Sequence, residues 1–554
     1  MKKQLLSLLL ACVVAAGTIC AESPKREFRS VWMAAMGIDW PRTAGTDEAS
    51  REAARQELVD YLDSYKQHNF TGVCIHVRPL ADALYKSSYE PWSASVSGKR
   101  GVDPGWDPLA FAVSECHRRG LECYAWVNPF RIDHNGKLPD TPQDIDWRER
   151  GLTFTQGTWT VFNPGLPEAR EHCMKVIEEI YTNYKIDGLL FDDYFYPGVG
   201  MPKGDAEADA PDFKLWKDSG SGLSIADWRR NNVNTFVKEL YDRIQKARPD
   251  MRFGIGPAGV GGKGAAKYGL EGPGVADDWM YDDIFCDPLA WLNDGSVDFI
   301  APQIYWGRSN SYSPFSPLCK WWADMAEHFG RHNYVSMASY RVDAADFGGN
   351  NEKGWAEFAA QIRECREEAH ADTPGQIYYS AKFIDGPVRT GLGAYLAGDV
   401  YCKPALVPVV DWKAHVVYEA PHGVAATGAD LRWRPVQAAD NAIIRYSVYA
   451  IPCELSMDDA STGDDGIDSR YLLGVSYVPA LALPADKVDG FRYAVCVYDG
   501  YGYESAPGIF DPMASQGVEF MDTDDCSLAV DGLTISLGSD TEYIYVNTLC
   551  GTQF

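Results

Sequence analysis

The sequence predicts an α/β protein, a (β/α)8 barrel followed by an all-β sandwich. Two patterns carry this prediction: short apolar runs alternate with amphipathic stretches from Glu27 to about Pro404, and beyond Pro404 alternating segments follow turn-rich stretches. The length of 554 residues exceeds a single core and suggests three or four units. Hydrophobic residues make up 46% and charged residues 23%, which is ordinary for a globular protein and excludes wholesale disorder.

Eight apolar runs are the candidate strands of the barrel. They are Arg29–Met33, Gly72–Val77, Glu122–Val127, Gly188–Asp192, Arg252–Ile255, Phe299–Ile304, Tyr334–Ala338 and Gln376–Ser380. Helical patterns lie between them: one begins after Thr46, a residue type suited to an N-cap, and another spans Asn231–Ala247 with an apolar stripe on one face. Because the active site of such a barrel lies where the strands end at their C-terminal side, functional residues are expected at those ends.

The N-terminus has the pattern of an export signal. Lys2 and Lys3 precede an apolar run from Leu5 to Ile19, and small residues follow at the expected cleavage point. The predicted segments are 1–21 for the signal peptide, 26–404 for the barrel, 405–508 for the sandwich and 509–554 for a β-rich tail of unassigned role.

Export predicts that the mature chain is in the periplasm or cell envelope, where it could associate with the outer membrane. Cys12 and Cys20 each end a weak match to a lipoprotein box, so a lipid anchor is the minority alternative to release. No apolar run of 18 residues follows the leader, and no transmembrane span is expected in the mature chain. The net charge of −27, or −29 without the two leader lysines, argues against nucleic acid and anionic membrane surfaces as partners.

Neither a cofactor nor a metal is expected. The chain has no CxxC pair, GxSxG elbow, HExxH motif or nucleotide-binding glycine loop. Cys116 and Cys123 flank a turn beside His117, but small apolar core residues are the simpler interpretation. The 17 Trp, 31 Tyr and 22 Phe residues favour a ligand with flat apolar faces, such as a sugar.

The densest candidate site is Asp187–Pro197, at the end of the fourth strand. The bulky Phe191 suits the face beneath the helices, which directs its neighbours Leu190 and Asp192 into the barrel. Asp192 is therefore the first choice for an acid over the barrel mouth, and Asp193 joins it if the chain turns there. The alternative is that both aspartates cap the loop by accepting backbone N–H groups, although acidic pairs in clefts favour catalysis.

Further candidates lie at other strand ends. An Arg78–Asp82 pair after the second strand could orient a polar ligand, with a loop-fixing salt bridge as the equal alternative, and His76 there is expected in the core. Amide and aromatic side chains after the third and sixth strands suit a hydroxyl-rich ligand, unless they only form a packed rim. The candidate substrate-binding residues are Arg78, Asn128, Tyr194, Tyr196, Gln303, Tyr305 and Trp306.

Six motifs, in order over about residues 26–400, resemble the glycosyl hydrolase-like family ten. They are VWMA at Val31, HVRPLADALYKSSYEPWS at His76, AWVNPFR at Ala125, DGLLFDDYFYP at Asp187, WRRNNVNTFVKELY at Trp228 and DFIAPQIYWGR at Asp298. The resemblance implies (β/α)8 barrels of bacterial envelopes, often lipoproteins, which act on glycans such as peptidoglycan strands. The sequence departs from the family at His76, where Gln is usual, and after Gly259, where the usual aromatic residue is missing.

Residues 405–508 resemble a fibronectin type III module, which usually serves as a spacer or binding unit. The resemblance rests on the Tyr-Ser-Val-Tyr run that begins at Tyr446 and the Tyr-Ala-Val-Cys-Val-Tyr-Asp run that begins at Tyr493. Nothing in this segment is typical of a catalytic site.

The function predicted from the sequence is glycoside hydrolysis without a metal. Asp192 and Asp193 are assigned to the catalytic centre and Asp82 is a weaker third candidate. Because a second obvious acid is missing elsewhere, the acetamide oxygen of an N-acetylated sugar could act as the nucleophile, bonded by Tyr194, Tyr196 or Tyr305. The negative net charge disfavours strands that still carry acidic stem peptides. The competing prediction is an envelope protein that binds glycans without catalysis.

Overall fold

The computed structural model describes residues 23–275, 279–369, 374–386, 391–439, 442–463, 466–513, 527–530 and 533–536. The predicted signal peptide at 1–21 lies outside the described residues, and so does most of the predicted tail at 509–554. The chain divides at Phe510 into two units. In the second unit, Ser527–Val530 pairs antiparallel with Leu533–Ser536.

Parallel strands dominate the first unit. Its strands up to Tyr379 are β1 (Phe28–Met33), β2 (Gly72–Arg78), β3 (Glu122–Val127), β4 (Arg131–Asp133), β5 (Thr153–Gln156), β6 (Trp159–Phe162), β7 (Gly188–Phe191), β8 (Arg252–Ile255), β9 (Phe299–Ile300), β10 (His332–Asn333), β11 (Val335–Ala338) and β12 (Gly375–Tyr379). Nine of these strands form one sheet in the order β10-β9-β8-β7-β3-β2-β1-β12-β11, and β4, β6 and β5 form a small antiparallel sheet.

The nine-stranded sheet is nearly closed into a barrel. Its two outermost strands, β10 and β11, are separated in the chain only by Tyr334; β10 pairs with β9, and β11 pairs with β12. A further bridge joins Gln303, beyond β9, to Ser336 in β11. If β10 and β11 are counted as one position, the sheet has eight, and each overlaps one of the eight predicted runs. The predicted α/β class and barrel-like sheet are confirmed.

Helices follow most of the barrel strands. They are α1 (Glu48–Gln67), α2 (Ala94–Ser97), α3 (Pro108–Arg118), α4 (Pro142–Glu149), α5 (Pro167–Asn183), α6 (Phe213–Asp218), α7 (Ile225–Ala247), α8 (Trp279–Asp283), α9 (Pro288–Asn293), α10 (Phe315–His328), α11 (Asn351–Glu368) and α12 (Leu392–Gly398). The N-cap of α1 is Asp47 rather than the predicted Thr46, because the Asp47 carboxylate accepts the backbone N–H of Ser50. Among the described residues, no helix combines the length and apolar character needed to cross a membrane.

Side chains alternate along β7 as the sequence predicts. Phe191 faces outward and stacks on Phe236 of α7, with ring centroids 6.2 Å apart. Leu190 faces inward and belongs to the inner cluster that contains Trp32 and Trp126. The next inward position after Leu190 is Asp192, which the strand therefore directs over the interior of the barrel.

Two small antiparallel sheets follow the barrel. Their strands are β13 (Ala425–Thr427), β14 (Asp430–Arg432), β15 (Ile444–Pro452), β16 (Leu472–Ser476), β17 (Ala480–Ala482), β18 (Phe491–Asp499) and β19 (Gly508–Phe510). The sheet orders are β13-β14-β17 and β16-β15-β18-β19. Leu431 in the first sheet and Val448 and Val495 in the second share a hydrophobic cluster. The all-β character of this segment agrees with the prediction, while its assignment as a fibronectin type III module stays a prediction.

These sheets cover the end of the barrel where the strands begin. Glu122, the first residue of β3, forms an ion pair with Arg445 of β15. Arg252, the first residue of β8, donates to the Pro408 carbonyl at 2.8 Å. Lys413 donates to Asp298, just before β9, at 2.8 Å. The N-terminal end of the barrel is therefore occupied by protein, and a ligand would have to enter at the other end.

Candidate active site

A cavity of about 290 Å³ lies at the C-terminal ends of the barrel strands. Its wall combines aromatic, aliphatic and polar side chains from several strand ends. They are the aromatic Trp32, Trp126, Tyr194, Tyr305 and Tyr379, the aliphatic Ala34, Met36 and Ile38, and the polar His76, Arg131, Asp192 and Gln303. Stacking faces beside directional polar groups suit a hydroxyl-rich ligand. Of the described residues, Asp192 is the one acid in this wall.

Asp192 is held in place by donors on two sides. Its Oδ1 accepts the Gln303 side-chain amide at 3.2 Å and the backbone N–H of Asp193 at 2.9 Å. The Gln303 amide also donates to the Gly256 carbonyl at 2.8 Å, which fixes its own orientation. Asp192 is half-buried, so one side of its carboxylate remains open to the cavity.

Asp193 lies directly behind Asp192 and is nearly inaccessible, with 3% exposure. Burial, the negative charge of Asp192 and a hydrogen bond with Asp192 together raise the pKa of Asp193 well above its usual range. Its Oδ1 has no hydrogen-bond partner among the described residues. The two carboxyl groups therefore interact directly, and the raised pKa favours the protonated form of Asp193.

His76 stacks on Trp126 in the cavity wall, with ring centroids 3.7 Å apart. The Asn128 amide donates to His76 Nε2 at 2.9 Å and to the Pro79 carbonyl at 3.2 Å. A carbonyl can only accept, so this second contact orients the amide and makes His76 Nε2 an acceptor. Burial and the charge of Arg131 lower the pKa of His76 well below its usual range. The ring is therefore neutral, with its proton on Nδ1.

Of the residues that the structure describes, Arg131 is the one cation in the cavity wall, and it has 7% exposure. Its Nε donates to the Pro79 carbonyl at 3.3 Å. Its guanidinium lies 5.7 Å from the ring centroid of Tyr194 and 5.9 Å from that of Trp159. Burial lowers the pKa of Arg131 and the charge of Asp192 opposes this shift, but an arginine stays protonated in proteins.

Four of the predicted site residues line the cavity. They are Asp192, Tyr194, Gln303 and Tyr305. Burial and the neighbouring tyrosine and aspartate charges raise the pKa of Tyr305, which therefore remains a neutral phenol that can donate a hydrogen bond. The sequence analysis did not select Trp32, Arg131 and Tyr379 for the site. Arg131 stands three residues beyond Asn128 in a motif already noted, which is the signal that could have found it.

The expected pairing of Arg78 with Asp82 is wrong. Arg78 is fully buried; its Nε donates to Glu90 at 2.8 Å, and it also reaches the Pro129 carbonyl at 2.9 Å. Asp82 instead forms an ion pair with Arg100 at 3.1 Å. Both side chains have partners from their own loops because the chain folds back at Glu90 and Arg100. Neither residue lines the cavity, and each contact fixes a loop.

Three other predicted binding residues also lie outside the cavity wall. Asn128 is fully buried behind His76, which it orients. Tyr196 is fully buried and packs edge-on against Phe285, with ring centroids 5.0 Å apart. Trp306 packs against the hydrophobic core outside the barrel. Asn128 thus touches the cavity only through another residue.

A further buried acid, Asp39, was not singled out from the sequence. Burial raises its pKa, but its carboxylate accepts from the Ala34 N–H at 2.8 Å, the Ser380 hydroxyl at 3.0 Å and the Lys382 N–H at 3.0 Å. These bonds tie the end of β1 to the end of β12. Within the described ranges, no group of three or more His, Cys, Asp or Glu side chains has the arrangement of a metal site.

Comparisons with known proteins place the chain in a family. The model of the family described as glycosyl hydrolase-like 10 matches residues 27–357. Glycosyl hydrolase YngK of Bacillus subtilis is 34% identical over 430 residues, which cover 75% of this chain and 80% of that protein. Glycosyl hydrolase DigH of Escherichia coli K12 is 32% identical over 338 residues, which cover 58% of this chain and 75% of that protein.

Solved structures also align with the chain. The catalytic domain of β-amylase from Paenibacillus polymyxa aligns with a TM-score of 0.42 and 11% identity, over 69% of this chain and 99% of that one. The family match covers more than half of the sequence and includes every residue of the cavity wall except Tyr379. The chain therefore belongs to the glycosyl hydrolase-like 10 family.

Proposed function

We propose that this protein is an exported glycoside hydrolase of the bacterial envelope that cleaves N-acetylated, peptidoglycan-type glycan strands. Membership of a glycosyl hydrolase-like family supports glycosidase chemistry in general terms. The observation that most supports the proposal is the adjacent carboxyl pair Asp192–Asp193, of which Asp192 lines a cavity with aromatic walls and Asp193 is buried with a raised pKa. A carboxyl group that keeps its proton near neutral pH is what a glycosidase needs to protonate the leaving oxygen.

The pair supplies the acid. Asp192 is the member that faces the cavity, and Asp193 holds the proton behind it. In the bound complex the proton passes through Asp192 to the glycosidic oxygen while the bond from that oxygen to the anomeric carbon breaks. The pair is left with a second negative charge, which Gln303 and the backbone N–H of Asp193 stabilise.

The substrate supplies the nucleophile. No second carboxylate stands across the cavity from Asp192 among the described residues, so the acetamide oxygen of the sugar forms the new bond to the anomeric carbon. The resulting cyclic cation lies beside the doubly negative pair and offsets its charge. Water then attacks the anomeric carbon, the bond from this carbon to the acetamide oxygen breaks, and a proton of the water returns to the pair as the sugar is released. Tyr194 or Tyr305 can hydrogen-bond the acetamide, since both line the cavity.

The surface charge selects among glycan strands. The net charge of −27 disfavours strands that still carry acidic stem peptides, so strands stripped of these peptides are the expected substrates. The leader-like N-terminus supports export to the periplasm or envelope, with a lipid anchor as the alternative to release. The two antiparallel sheets after the barrel support a fibronectin type III-like module.

One observation favours a second candidate, a glycan-binding protein without catalysis. A two-carboxylate mechanism needs a nucleophile or base that the described wall does not provide. If the acetamide does not serve as nucleophile, the same cavity would bind a sugar and release nothing.

The test measures new reducing ends from peptide-free glycan strands, with the products identified by mass spectrometry. Asp192→Asn and Asp193→Asn are each expected to lower turnover by about 10²–10⁴-fold, the usual contribution of general acid catalysis. Asp82→Asn tests the competing acid and is expected to retain turnover, because Asp82 lies outside the cavity wall. Unchanged turnover in both Asp192→Asn and Asp193→Asn would end the assignment.

A second measurement tests the nucleophile. Removing the N-acetyl groups is expected to abolish cleavage, and a thiazoline mimic of the cyclic intermediate is expected to inhibit. Rapid hydrolysis of the de-N-acetylated strand contradicts the acetamide mechanism. Binding of the intact strand with no new reducing ends supports the non-catalytic candidate instead.

A further inference from the structure

Arg131 is a buried arginine that has fewer ion-pair and hydrogen-bond partners among the described residues than the fully buried arginines of this chain. Its one side-chain hydrogen bond to a described residue runs from Nε to the Pro79 carbonyl and is long, at 3.3 Å. Among the described residues it forms no ion pair with any carboxylate, although Asp192 and Asp193 are near enough for their charges to act on it. Burying an unpaired charge costs several kcal/mol, about the largest cost a single side chain can carry, so such groups usually have a role.

Other arginines show how this protein normally buries a guanidinium. The fully buried Arg29, Arg78, Arg229 and Arg445 each form an ion pair with a carboxylate. Arg252 has no carboxylate partner but donates to three oxygens, of Tyr334, Pro408 and Gly500. Arg131 departs from both patterns, and it is the one of these six that lines the cavity.

Two more unpartnered donors belong to the same part of the wall. His76 carries its proton on Nδ1, and neither this atom nor Trp126 Nε1 has a hydrogen-bond partner among the described residues. Both side chains are at least nine-tenths buried and line the cavity with Arg131. The wall around Arg131 therefore combines a positive charge with two N–H groups that no described residue accepts.

We propose that Arg131 anchors a subsite for a carboxylate that the substrate sugar itself carries. The planar fork of a guanidinium matches the two oxygens of a carboxylate, and the pair is strong where water is excluded. This inference rests on the proposed function for the identity of the glycan. It adds that the sugar bound in the site bears a carboxylate. Two kinds of sugar have this chemistry: an amino sugar with a free lactyl ether, and a uronate.

The subsite gives a second reason for a preference for stripped strands. In an intact peptidoglycan strand the lactyl carboxyl is consumed in the amide bond to the stem peptide, so it offers no charge to Arg131. Once the peptide is removed, the carboxylate is free at the end of the lactyl ether, which is bonded to the ring carbon next to the one that bears the acetamide. A chitin-type strand has the acetamide but no carboxylate. The subsite therefore separates two glycans that the catalytic pair alone would treat alike.

The simplest competing role for Arg131 is to act on Asp192 through its charge. In that case a change at Arg131 affects every substrate alike, whether or not it has a carboxylate. A carboxylate subsite instead predicts an effect that depends on the ligand. The difference between ligands is therefore the quantity to measure.

The experiment measures binding by calorimetry in full-length Asp192→Asn protein, so that turnover plays no part. The ligands are a stripped peptidoglycan tetrasaccharide, the same oligomer with its lactyl carboxylates reduced to alcohols, and a chitin tetrasaccharide. We expect the free carboxylate to improve affinity by about tenfold or more over the reduced oligomer. Adding Arg131→Gln is expected to abolish this preference and leave the affinity for the chitin fragment within about twofold.

Arg308→Gln is the matched control, because Arg308 is an exposed arginine on the loop that follows β9 and pairs with Glu357 outside the cavity. It is expected to keep the preference. Equal affinities for the free and reduced oligomers in the Asp192→Asn protein, or a preference that survives Arg131→Gln, would overturn the subsite. An oligouronate that binds more tightly than the lactyl ligand, and loses affinity with Arg131→Gln, would assign the subsite to uronates. If the protein proves not to hydrolyse glycans, the same binding comparison still decides the subsite.

Discussion

Two aspartates at opposite ends of β7 are buried to a similar degree, but their pKa values are shifted in opposite directions. Asp187, just before the strand, accepts from His117 at 2.9 Å, the backbone N–H of Cys123 at 2.8 Å and Tyr477 at 2.8 Å. Burial raises its pKa, but the charge and hydrogen bond of His117, the charge of Arg445 and the backbone N–H of Cys123 lower it below the usual range. Asp193, just after the strand, has an oxygen without a described partner and a raised pKa.

This difference in pKa distinguishes the N-terminal end of the barrel, which is structural, from the C-terminal end, which is functional. At the N-terminal end, Glu122, Asp298 and Asp187 contact Arg445, Lys413 and Tyr477 from the segment that follows the barrel, and these contacts stabilise the junction between the two parts. At the C-terminal end, the charges and donors around the cavity remain partly unsatisfied. Groups that the fold leaves unpaired are available to a ligand, and their cost to stability is consistent with selection for function.

The largest effect that tests this comparison is on stability, at two buried arginines. Arg445→Met leaves the Glu122 carboxylate buried without its ion pair and is expected to lower the free energy of unfolding by about 3–5 kcal/mol. Arg131→Met removes a cation that has no carboxylate partner and is expected to leave that free energy unchanged or raise it. Urea unfolding of the two variants and the wild type measures both.

A double variant checks the cause of the first effect. Glu122→Gln combined with Arg445→Met removes both charges, so it is expected to recover part of the loss seen in Arg445→Met alone. Equal destabilisation by Arg445→Met and Arg131→Met would show that the two ends of the barrel do not differ in the way described.

The alternation of β7 shows what was predictable from the sequence. A strand with period two and one bulky outward residue, Phe191, is enough to direct Leu190 and Asp192 inward, and the structure agrees. The eight strand positions were predictable for the same reason, because strands covered by helices are short continuous apolar runs. Local pattern decides these features, and no distant contact is needed to predict them.

Partners across loops were not predictable in this way. Arg78 and Asp82 are four residues apart, yet each pairs with a side chain that a turn of the loop brings back, Glu90 and Arg100. Trp32 was not selected because an aromatic residue within a strand is typical of a core. It lines the cavity because the barrel interior remains open above it. The first case depends on where the chain folds back and the second on which part of the barrel interior remains open, and periodicity encodes neither.

The second prediction concerns the pH dependence of stability at the two ends of β7. The folded-state pKa of Asp193 is raised, so its contribution is fully present below its unfolded pKa of about 3.9 and is lost as the pH rises towards the folded value. The folded-state pKa of Asp187 is lowered, so its contribution is present above about pH 3.9 and is lost as the pH falls through the folded value. Each slope is at most about 1.4 kcal/mol per pH unit.

Unfolding free energies of the wild type, Asp187→Asn and Asp193→Asn between about pH 3 and 8 measure these slopes by difference. Relative to Asp193→Asn, the wild type is expected to lose stability as the pH rises. Relative to Asp187→Asn, it is expected to lose stability as the pH falls. Slopes of the same sign at both positions contradict the contrast between the two ends.

The smallest expected effect separates two tyrosines that the sequence analysis treated alike. Tyr305 lines the cavity, whereas Tyr196 is fully buried outside the wall against Phe285. Tyr305→Phe removes a hydroxyl that can bond the acetamide, and a neutral hydrogen bond contributes about 0.5–1.5 kcal/mol, so KM for peptide-free strands is expected to rise about two- to tenfold. Tyr196→Phe is the matched control and is expected to leave KM unchanged, because its hydroxyl reaches no part of the cavity. A rise in KM with Tyr196→Phe and none with Tyr305→Phe would place the substrate on the other side of the β7 loop and move the proposed site away from Asp192.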